Sequence, residues 1–224
     1  MDVIGRIRTP FREKFGAPRQ PGLATAARGV LELEPPFDRP ESLDGLEEFS
    51  HVWLLWAFHL ASRKPEDWSP TVRPPRLGGN RRLGVFATRS PFRPNPLGLS
   101  AVRLLAVERE ACRLVLGGVD LVDGAPVFDI KPYVPYSDSI VDASAGFADS
   151  APEQRLRVTF SAEARDFLAD KEELRRLIEQ VLALDPRPAF HGDPQRVYAV
   201  RLEDVEARWR VEAGEARVAS VRPA

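Results

Sequence analysis

The sequence predicts a mainly β protein, with a barrel-like N-terminal domain of about seven strands and a small α+β C-terminal domain. Short runs of Val, Leu and aromatic residues recur between turn residues through the first 135 positions, which is typical of strands. The chain of 224 residues has 21 Pro and 15 Gly, and Pro at this density disfavours long helices. The pattern changes after about residue 150, where an apolar stripe at helical spacing predicts a different unit.

The strands of the first half follow from runs of Val, Leu, Ile and aromatic residues bounded by Pro, Gly and polar residues. They are expected at 3–8, 29–33, 50–59, 83–87, 97–107, 112–119 and 127–134. The run 50–59 is apolar almost throughout, and its Pro-rich surroundings favour a strand buried on both faces over a core helix. Strands at this spacing suit a barrel or a sandwich, because closure of a sheet removes its exposed edges.

The second half begins after residues 139–155, whose Ala, Ser, Gly, Asp and Pro content indicates a linker. We therefore place the two domains at 1–145 and 152–224. A short strand is expected at 158–160, followed by Ser161 as the cap of a helix that begins at Ala162.

A second helix is expected to begin at Asp170, whose spacing from Glu173 resembles a capping pair. Its apolar stripe comprises Leu174, Leu177, Ile178, Val181 and Leu182, and Asp185–Pro186 ends it. Strands are expected at 197–202, 207–211 and 216–221.

Several classes of protein are excluded by what the sequence lacks. The single Cys112 rules out a disulfide framework and any Cys-cluster metal site, and three His are too few for most multi-His sites, so we expect no metal. No glycine fingerprint, phosphate-binding lysine loop, zinc-protease or serine-elbow motif is present. No apolar run reaches 18 residues and no apolar leader is visible, so a cytoplasmic protein without a membrane span is expected.

Charge is distributed unevenly beneath a net charge of -1. Residues 76–113 hold eight Arg against two Glu, whereas residues 32–48 hold seven acidic residues against Arg39. Arg binds phosphate bidentately and stacks on bases, so the first segment is compatible with an RNA-binding face. Solvated surface charge remains an equal alternative.

Four clusters of turn and polar residues lie between the predicted strands. They are 13–22, 49–51 with His59, 84–100, and 120–133 with Asp138–Ser139. Pro stiffens the first and third clusters and so holds polar side chains at a low entropic cost. Rigid loops at the end of a barrel are where binding residues are expected.

These clusters resemble the TsaA-like (TrmO) family of tRNA methyltransferases. The resemblance rests on the motifs Glu13-Lys14-Phe15-Gly16, Pro18-Arg19-Gln20-Pro21-Gly22, Phe49-Ser50-His51, Gly84-Val85-Phe86-Ala87-Thr88-Arg89, Arg93-Pro94-Asn95-Pro96-Leu97-Gly98 and Asp129-Ile130-Lys131-Pro132-Tyr133. It covers residues 1–140, and the tail with Asp185-Pro186-Arg187-Pro188 resembles the C-terminal domain of the family's bacterial branch.

The resemblance implies an S-adenosylmethionine-dependent tRNA methyltransferase that modifies N6 of threonylcarbamoyl-adenosine next to the anticodon. It also implies a homodimer and a β-barrel in place of the Rossmann fold of other methyltransferases. The cofactor residues it implies are Pro18, Arg19, Gln20, His59, Leu60, Arg89, Leu99, Asp120, Leu121, Val122 and Asp123.

Other functional residues are candidates by chemistry. Asp129 and Lys131, two apart on one strand face, and the nearby Tyr133 are candidates for substrate positioning or proton transfer, since the acceptor nitrogen is amide-like and must lose a proton. Arg93, Asn95, Arg81 and Arg82 are candidate RNA contacts. Two alternatives remain open: a non-catalytic RNA-binding module, and a methyltransferase for another small-molecule or RNA acceptor.

Overall fold

The first half of the chain forms a closed six-stranded barrel in this computed structural model, which describes residues 1–61, 68–74, 81–150, 156–187, 193 and 195–224. The strands are β1 (Gly5–Arg8), β2 (Arg28–Leu33), β3 (His51–Ala57), β4 (Thr71–Val72), β5 (Leu83–Gly84), β6 (Leu97–Glu108), β7 (Arg113–Gly117) and β8 (Ala125–Pro132). The barrel order is β1-β2-β7-β6-β3-β8, and β8 pairs back onto β1. The sequence prediction of a barrel-like β fold is therefore confirmed.

The strand count differs because the run 83–87 does not join the barrel. Only β5 is extended, and it pairs with β4 in a separate two-stranded ribbon. Residues Val85–Ala87 form a 3-10 turn that buries Val85, whose N–H donates to the Pro70 carbonyl at 2.9 Å. Only Val85 of this run is buried, while Phe86 is 72% exposed, and the barrel has six strands instead of seven.

Strand β3 is buried on one face only, so the expectation of burial on both faces is wrong. Val52, Leu54 and Trp56 point into the barrel and are at most 4% exposed, while Trp53 and Leu55 lie half-buried on the outer face. A closed barrel has one interior, and a strand within it must alternate. The apolar outer residues of β3 therefore lie on a surface.

The second half forms a four-stranded sheet covered by helices, as the sequence predicts. After the short α1 (Pro135–Asp138), the elements are β9 (Arg157–Phe160), α2 (Ala162–Phe167), α3 (Glu172–Ala183), β10 (Tyr198–Leu202), β11 (Val205–Glu212) and β12 (Glu215–Pro223). The sheet order is β10-β11-β12-β9, with β9 parallel to β12. The whole apolar stripe of α3 is buried in the core.

Helices α2 and α3 differ in how their N-termini are capped. Ser161 caps α2 as predicted, since its Oγ accepts the Ala164 N–H at 3.1 Å. Asp170 does not cap α3, which has Lys171 at its N-cap position without a side-chain bond. The N-cap position of α3 thus lies one residue after Asp170 and the helix begins at Glu172, while the Asp170 carboxylate lies 3.5 Å from the Lys171 ammonium.

A long loop between β1 and β2 packs between the barrel and the second sheet. Phe11, 1% exposed, makes an isolated β-bridge to Leu202 of β10. Buried residues of both halves belong to one apolar cluster. Among the described residues, no helix is long and apolar enough to cross a membrane.

Candidate cofactor site at one end of the barrel

Segments distant in sequence meet where β3 ends and β6 begins. The Arg89 guanidinium donates to the Gln20 side-chain carbonyl, which joins the loop after β5 to the β1–β2 loop. The Lys14 ammonium donates to the Leu60 carbonyl at 2.8 Å, so the same β1–β2 loop also holds the turn after β3. The predicted cofactor residues of these three segments are therefore neighbours in space.

The Pro18–Gln20 segment is anchored close to the 120–123 turn. Pro18 is buried, Gln20 is half-buried and Arg19 is exposed. The Gly22 N–H donates to the Gly118 carbonyl at 2.8 Å, two residues before Asp120. This bond brings the fourth predicted cofactor segment against the first.

Asp120 is the terminus of a buried hydrogen-bond chain that begins in β3. Trp56 Nε1 donates to Ser100 Oγ at 3.0 Å, and Ser100 Oγ donates to Asp120 Oδ1 at 2.8 Å. The indole fits because Gly98 has no side chain: a Cβ there would lie 2.2 Å from the Trp56 ring. Burial raises the pKa of Asp120 to about 6, although the Ser100 hydroxyl and the nearby Arg89 charge favour its ionised form.

The Asp123 side chain is engaged by the protein itself. Its Oδ1 accepts the Thr9 N–H at 2.9 Å, and its Oδ2 accepts from Arg12 Nη1 at 2.5 Å. Thr9 Oγ1 also donates to the Leu121 carbonyl at 2.9 Å. Asp123 thus holds the turn in place, and Leu121 is fully buried. Of this turn, the Asp120 carboxylate and the half-buried Val122 are left to line the site.

His59 and Leu60 lie exposed on the turn after β3. Partial burial and the charge of Arg6 lower the pKa of His59, whereas a hydrogen bond to the Asp123 backbone opposes this shift. The lowered pKa favours the neutral imidazole, which lies beside the 120–123 turn. Because β3 ends at Ala57, His51 and His59 do not share one strand face.

Leu99 and Asp129 lie on the outer face of the barrel. Leu55 of β3 pairs with Leu99 on one side and with Asp129 on the other. With adjacent strands about 4.8 Å apart, Asp129 lies about 10 Å from Leu99 along this row. Leu99 is 60% exposed, so its side chain forms an open apolar wall on the outer face of the barrel.

The other two catalytic candidates lie progressively farther from that row. Lys131 pairs with Trp53, two residues along each strand from the pair of Asp129 and Leu55. Its Nζ lies 3.3 Å from Asp129 Oδ2. The Tyr133 ring lies beside His51, with ring centroids 6.3 Å apart, at the start of β3 and hence at the opposite end from His59. Asp129 is thus the candidate nearest the cofactor segments, and Tyr133 is the most remote.

The predicted basic face is partly neutralised by the acidic segment. Arg109 pairs with Asp44, and Arg113 Nε lies 2.9 Å from Glu32 Oε1. The segments 76–113 and 32–48 therefore meet in the fold, and the Arg excess of the first overstates the charge available to RNA.

Of the RNA candidates, Arg81 and Arg82 immediately precede β5, whereas Arg93 and Asn95 lie in the loop that leads into β6. Arg82 donates to Thr71 Oγ1 at 2.9 Å and Arg93 donates to the Thr88 carbonyl at 3.1 Å, so both also hold local structure. Arg81 and Asn95 are exposed.

Sequence reasoning missed the supporting residues Ser100, Trp56, Thr9 and Arg12. Ser100 is 1% exposed and is the one polar residue in the stretch 97–102, and that polar interruption was the available signal. Thr9 and Arg12 gave no such signal in the sequence, because their hydrogen-bond partner Asp123 is more than 100 residues away. A cavity of ≈ 430 Å³ between β9 and α3 is lined by none of the predicted site residues.

Replacing Asp120 by Asn should change the pH dependence of stability. An acid whose pKa is about 6 in the folded chain and 3.8 as its ordinary value takes up protons on folding between these pH values. The free energy of unfolding of the wild type therefore falls as pH rises from about 4 to about 6. Asp120→Asn removes this term, so its stability relative to the wild type should rise over that range, by up to about 3 kcal/mol. Denaturant titration between pH 4 and 7 measures it, and a pH-independent difference would contradict the assignment.

Comparison with known proteins agrees with this arrangement. Residues 6–139 match the family model of the tRNA-methyltransferase O N-terminal domain, and residues 153–224 match that of the TrmO C-terminal domain. The chain is 50% identical over 218 residues to the tRNA (adenine(37)-N6)-methyltransferase of Escherichia coli K12, covering 94% of this chain and 92% of that one. It is 44% identical over 135 residues to a Pyrococcus abyssi protein named "Probable S-adenosyl-L-methionine-binding protein", covering 60% of this chain and 68% of that one.

A solved structure shares the fold. The crystal structure of TrmO from Pseudomonas aeruginosa superposes with a TM-score of 0.82 at 47% identity, over 99% of this chain and 96% of that one. Two family models that together span most of the chain, and a relative matched over nearly its whole length, establish the family. The chain belongs to the tRNA-methyltransferase O (TrmO) family.

Proposed function

We propose that this protein transfers the methyl group of S-adenosylmethionine to N6 of an adenosine in tRNA, and that the acceptor is threonylcarbamoyl-adenosine next to the anticodon. The observation that carries the proposal is the meeting of the segments of Gln20, Leu60, Arg89 and Asp120 at one end of a barrel that belongs to this family. The alternatives, a non-catalytic RNA-binding module and a methyltransferase for another acceptor, have no comparable observation in their favour.

The chemistry of these residues fits the cofactor. S-adenosylmethionine supplies an electrophilic methyl group on a sulfonium, and it also carries a carboxylate, an ammonium and a flat adenine ring. Arg89 and Gln20 offer donors for a carboxylate, and Asp120 offers a negative charge for a cation. Exposed apolar side chains of Leu60 and Leu99 suit a ring. We infer that Pro18, Arg19, His59, Leu121, Val122 and Asp123 complete the pocket or shape it.

The catalytic task of the chain is to hold the acceptor nitrogen in line with the methyl group and to help it lose its proton. Alignment alone can supply much of the rate. Asp129 is the proposed proton acceptor, since its carboxylate lies on the outer face in the row of Leu99. Lys131, whose Nζ lies 3.3 Å from Asp129 Oδ2, helps to orient that carboxylate. Tyr133 is proposed only as a contact for the RNA, because of its remote position.

We also propose how the chain is organised and where it works. The exposed Leu99 wall suggests that a second copy of the chain covers the site, as in a homodimer. The domains 1–145 and 152–224 are supported by the separate closed barrel and four-stranded sheet. Arg81, Arg82, Arg93 and Asn95 are the proposed RNA contacts. A tRNA substrate agrees with a cytoplasmic location.

The activity is tested with purified protein, S-adenosylmethionine and tRNA that carries threonylcarbamoyl-adenosine. Mass analysis of the digested nucleosides should show the methylated form, whereas tRNA lacking the threonylcarbamoyl group should stay unmodified. Methylation of the unmodified tRNA alone would contradict the proposed acceptor. Failure to bind S-adenosylmethionine at all would favour an RNA-binding module.

Arg89→Ala should weaken cofactor binding. It removes the bond to Gln20 and a charge-assisted contact, which is worth about 1.5–3 kcal/mol and corresponds to roughly a 10- to 100-fold increase in Kd. Isothermal calorimetry measures the affinity, with Arg103→Ala as the matched control on the exposed face of β6. A wild-type Kd in Arg89→Ala would remove this residue from the pocket.

Asp129→Asn should slow methyl transfer without changing cofactor affinity. Removal of a general base typically costs about 10²–10⁴ in rate. Single-turnover methylation with saturating S-adenosylmethionine isolates that step from cofactor binding. An unchanged single-turnover rate would exclude Asp129 as the proton acceptor.

A further inference from the structure

We propose that the C-terminal sheet and α3 clamp the β1–β2 loop, residues 9–27, and thereby set the affinity of the site for S-adenosylmethionine, with Arg12 and Gln180 as positioning residues. The inference rests on the proposed cofactor site, because Pro18, Arg19 and Gln20 lie in the middle of this loop. Neither Arg12 nor Gln180 is itself proposed to touch the cofactor. Their role is to fix both legs of the loop that does.

The first leg is fixed by the turn between β10 and β11. The Glu203 N–H donates to the Pro10 carbonyl at 2.8 Å, next to the bridge between Phe11 and Leu202. Arg12 adds a side-chain link: its Nε donates to the Glu203 carbonyl at 2.9 Å, and its Nη1 donates to Asp123 Oδ2 at 2.5 Å. The Arg12 guanidinium thus joins the β1–β2 loop, to which Arg12 belongs, to both the C-terminal sheet and the 120–123 turn.

Gly16 allows the loop to pack directly on β10. It has a φ of +89°, and a Cβ at this position would lie 2.4 Å from Val200 Cγ2. Both the left-handed backbone and the contact exclude a side chain here. The backbone two residues before Pro18 is therefore in contact with the second sheet.

The second leg is fixed by α3. Gln180 Oε1 accepts the Ala26 N–H at 2.8 Å, while Gln180 Nε2 donates to Thr25 Oγ1 at 3.0 Å. Arg28, at the start of β2, also pairs with Glu173 of α3 at 3.0 Å, although both groups are exposed and such pairs contribute little. The Gln180 amide is the stronger link, because it satisfies a backbone group that is partly buried.

The consequence is a preorganised loop. A connection of this length would lose considerable conformational freedom on binding a ligand, and that cost would appear as a weaker affinity. The second unit contributes no proposed cofactor contact, but its links hold both ends of the β1–β2 loop. They therefore remove part of this entropic cost before the cofactor binds. Cofactor affinity should therefore respond to substitutions of the residues that make these links to the second unit, although they leave every proposed cofactor residue in place.

The test measures the Kd for S-adenosylmethionine and the methylation rate at saturating cofactor in Arg12→Ala and Gln180→Ala. Each is expected to raise Kd by about tenfold, equivalent to about 1.4 kcal/mol, with a rate within about twofold of the wild type. Hydrogen exchange within 13–22 should become faster, and bound cofactor should restore its protection. Gln180→Glu keeps the acceptor for the Ala26 N–H, and its second oxygen can accept from the Thr25 hydroxyl where Gln180 Nε2 donates to it, so this variant should retain a Kd close to that of the wild type.

The control is Arg208→Ala on β11, where Arg208 Nε bonds Glu206 Oε1 at 2.8 Å away from the loop. A lower melting temperature in Arg12→Ala and Gln180→Ala with an unchanged Kd would overturn the inference. If one of the two does not fold, the other carries the same test. Wild-type Kd in these two variants alongside a weakened Arg89→Ala would refute the clamp alone, whereas unchanged affinity in Arg89→Ala would refute the proposed pocket.

Discussion

The carboxylate of Asp123 is the contact on which the arrangement of the site depends. It accepts from the Thr9 backbone and from the Arg12 side chain, so the residues that leave β1 are tied to the turn that precedes β8. Arg12 extends the connection to Glu203 of the second sheet. Together with the bond from Thr9 Oγ1 to the Leu121 carbonyl, this junction holds the β1–β2 loop, which carries Gln20, against the turn that carries Asp120.

Asp120 is affected both by burial and by a nearby charge, and the net charge of -1 of the whole chain gives no indication of this. Asp120 is partly desolvated, yet Ser100 donates to it and Arg89 lies close, so its ionised form is only moderately disfavoured. A carboxylate with a pKa of about 6 is costly for folding but is well suited to attract a cation. Elsewhere, the Arg-rich and acidic segments pair with each other, as Arg113 does with Glu32.

Alternation of apolar residues was sufficient to predict most strands, because each barrel strand has one buried face. It failed for 83–87, where Val85 is buried by a 3-10 turn, and for the outer face of β3, where apolar residues remain on a surface. The segments of the candidate site were predicted from the motifs that resemble the family, and the fold brings four of these segments together. Arg12 could not be predicted from the sequence, since its partner Asp123 is 111 residues away and such a hydrogen bond leaves no periodic pattern, whereas Ser100 left only the signal of one polar residue in an apolar stretch.

We propose that the cofactor binds at one end of the barrel, at the meeting point of four segments. These are the β1–β2 loop, the turn after β3, the loop after β5 and the 120–123 turn. The most direct measurement is a crystal structure of the full chain with S-adenosylmethionine. We expect the cofactor to contact Gln20, Arg89 and Leu60, close to the Asp120 carboxylate, with a second copy of the chain over Leu99. Cofactor bound inside the barrel, or in the cavity between β9 and α3, would contradict it.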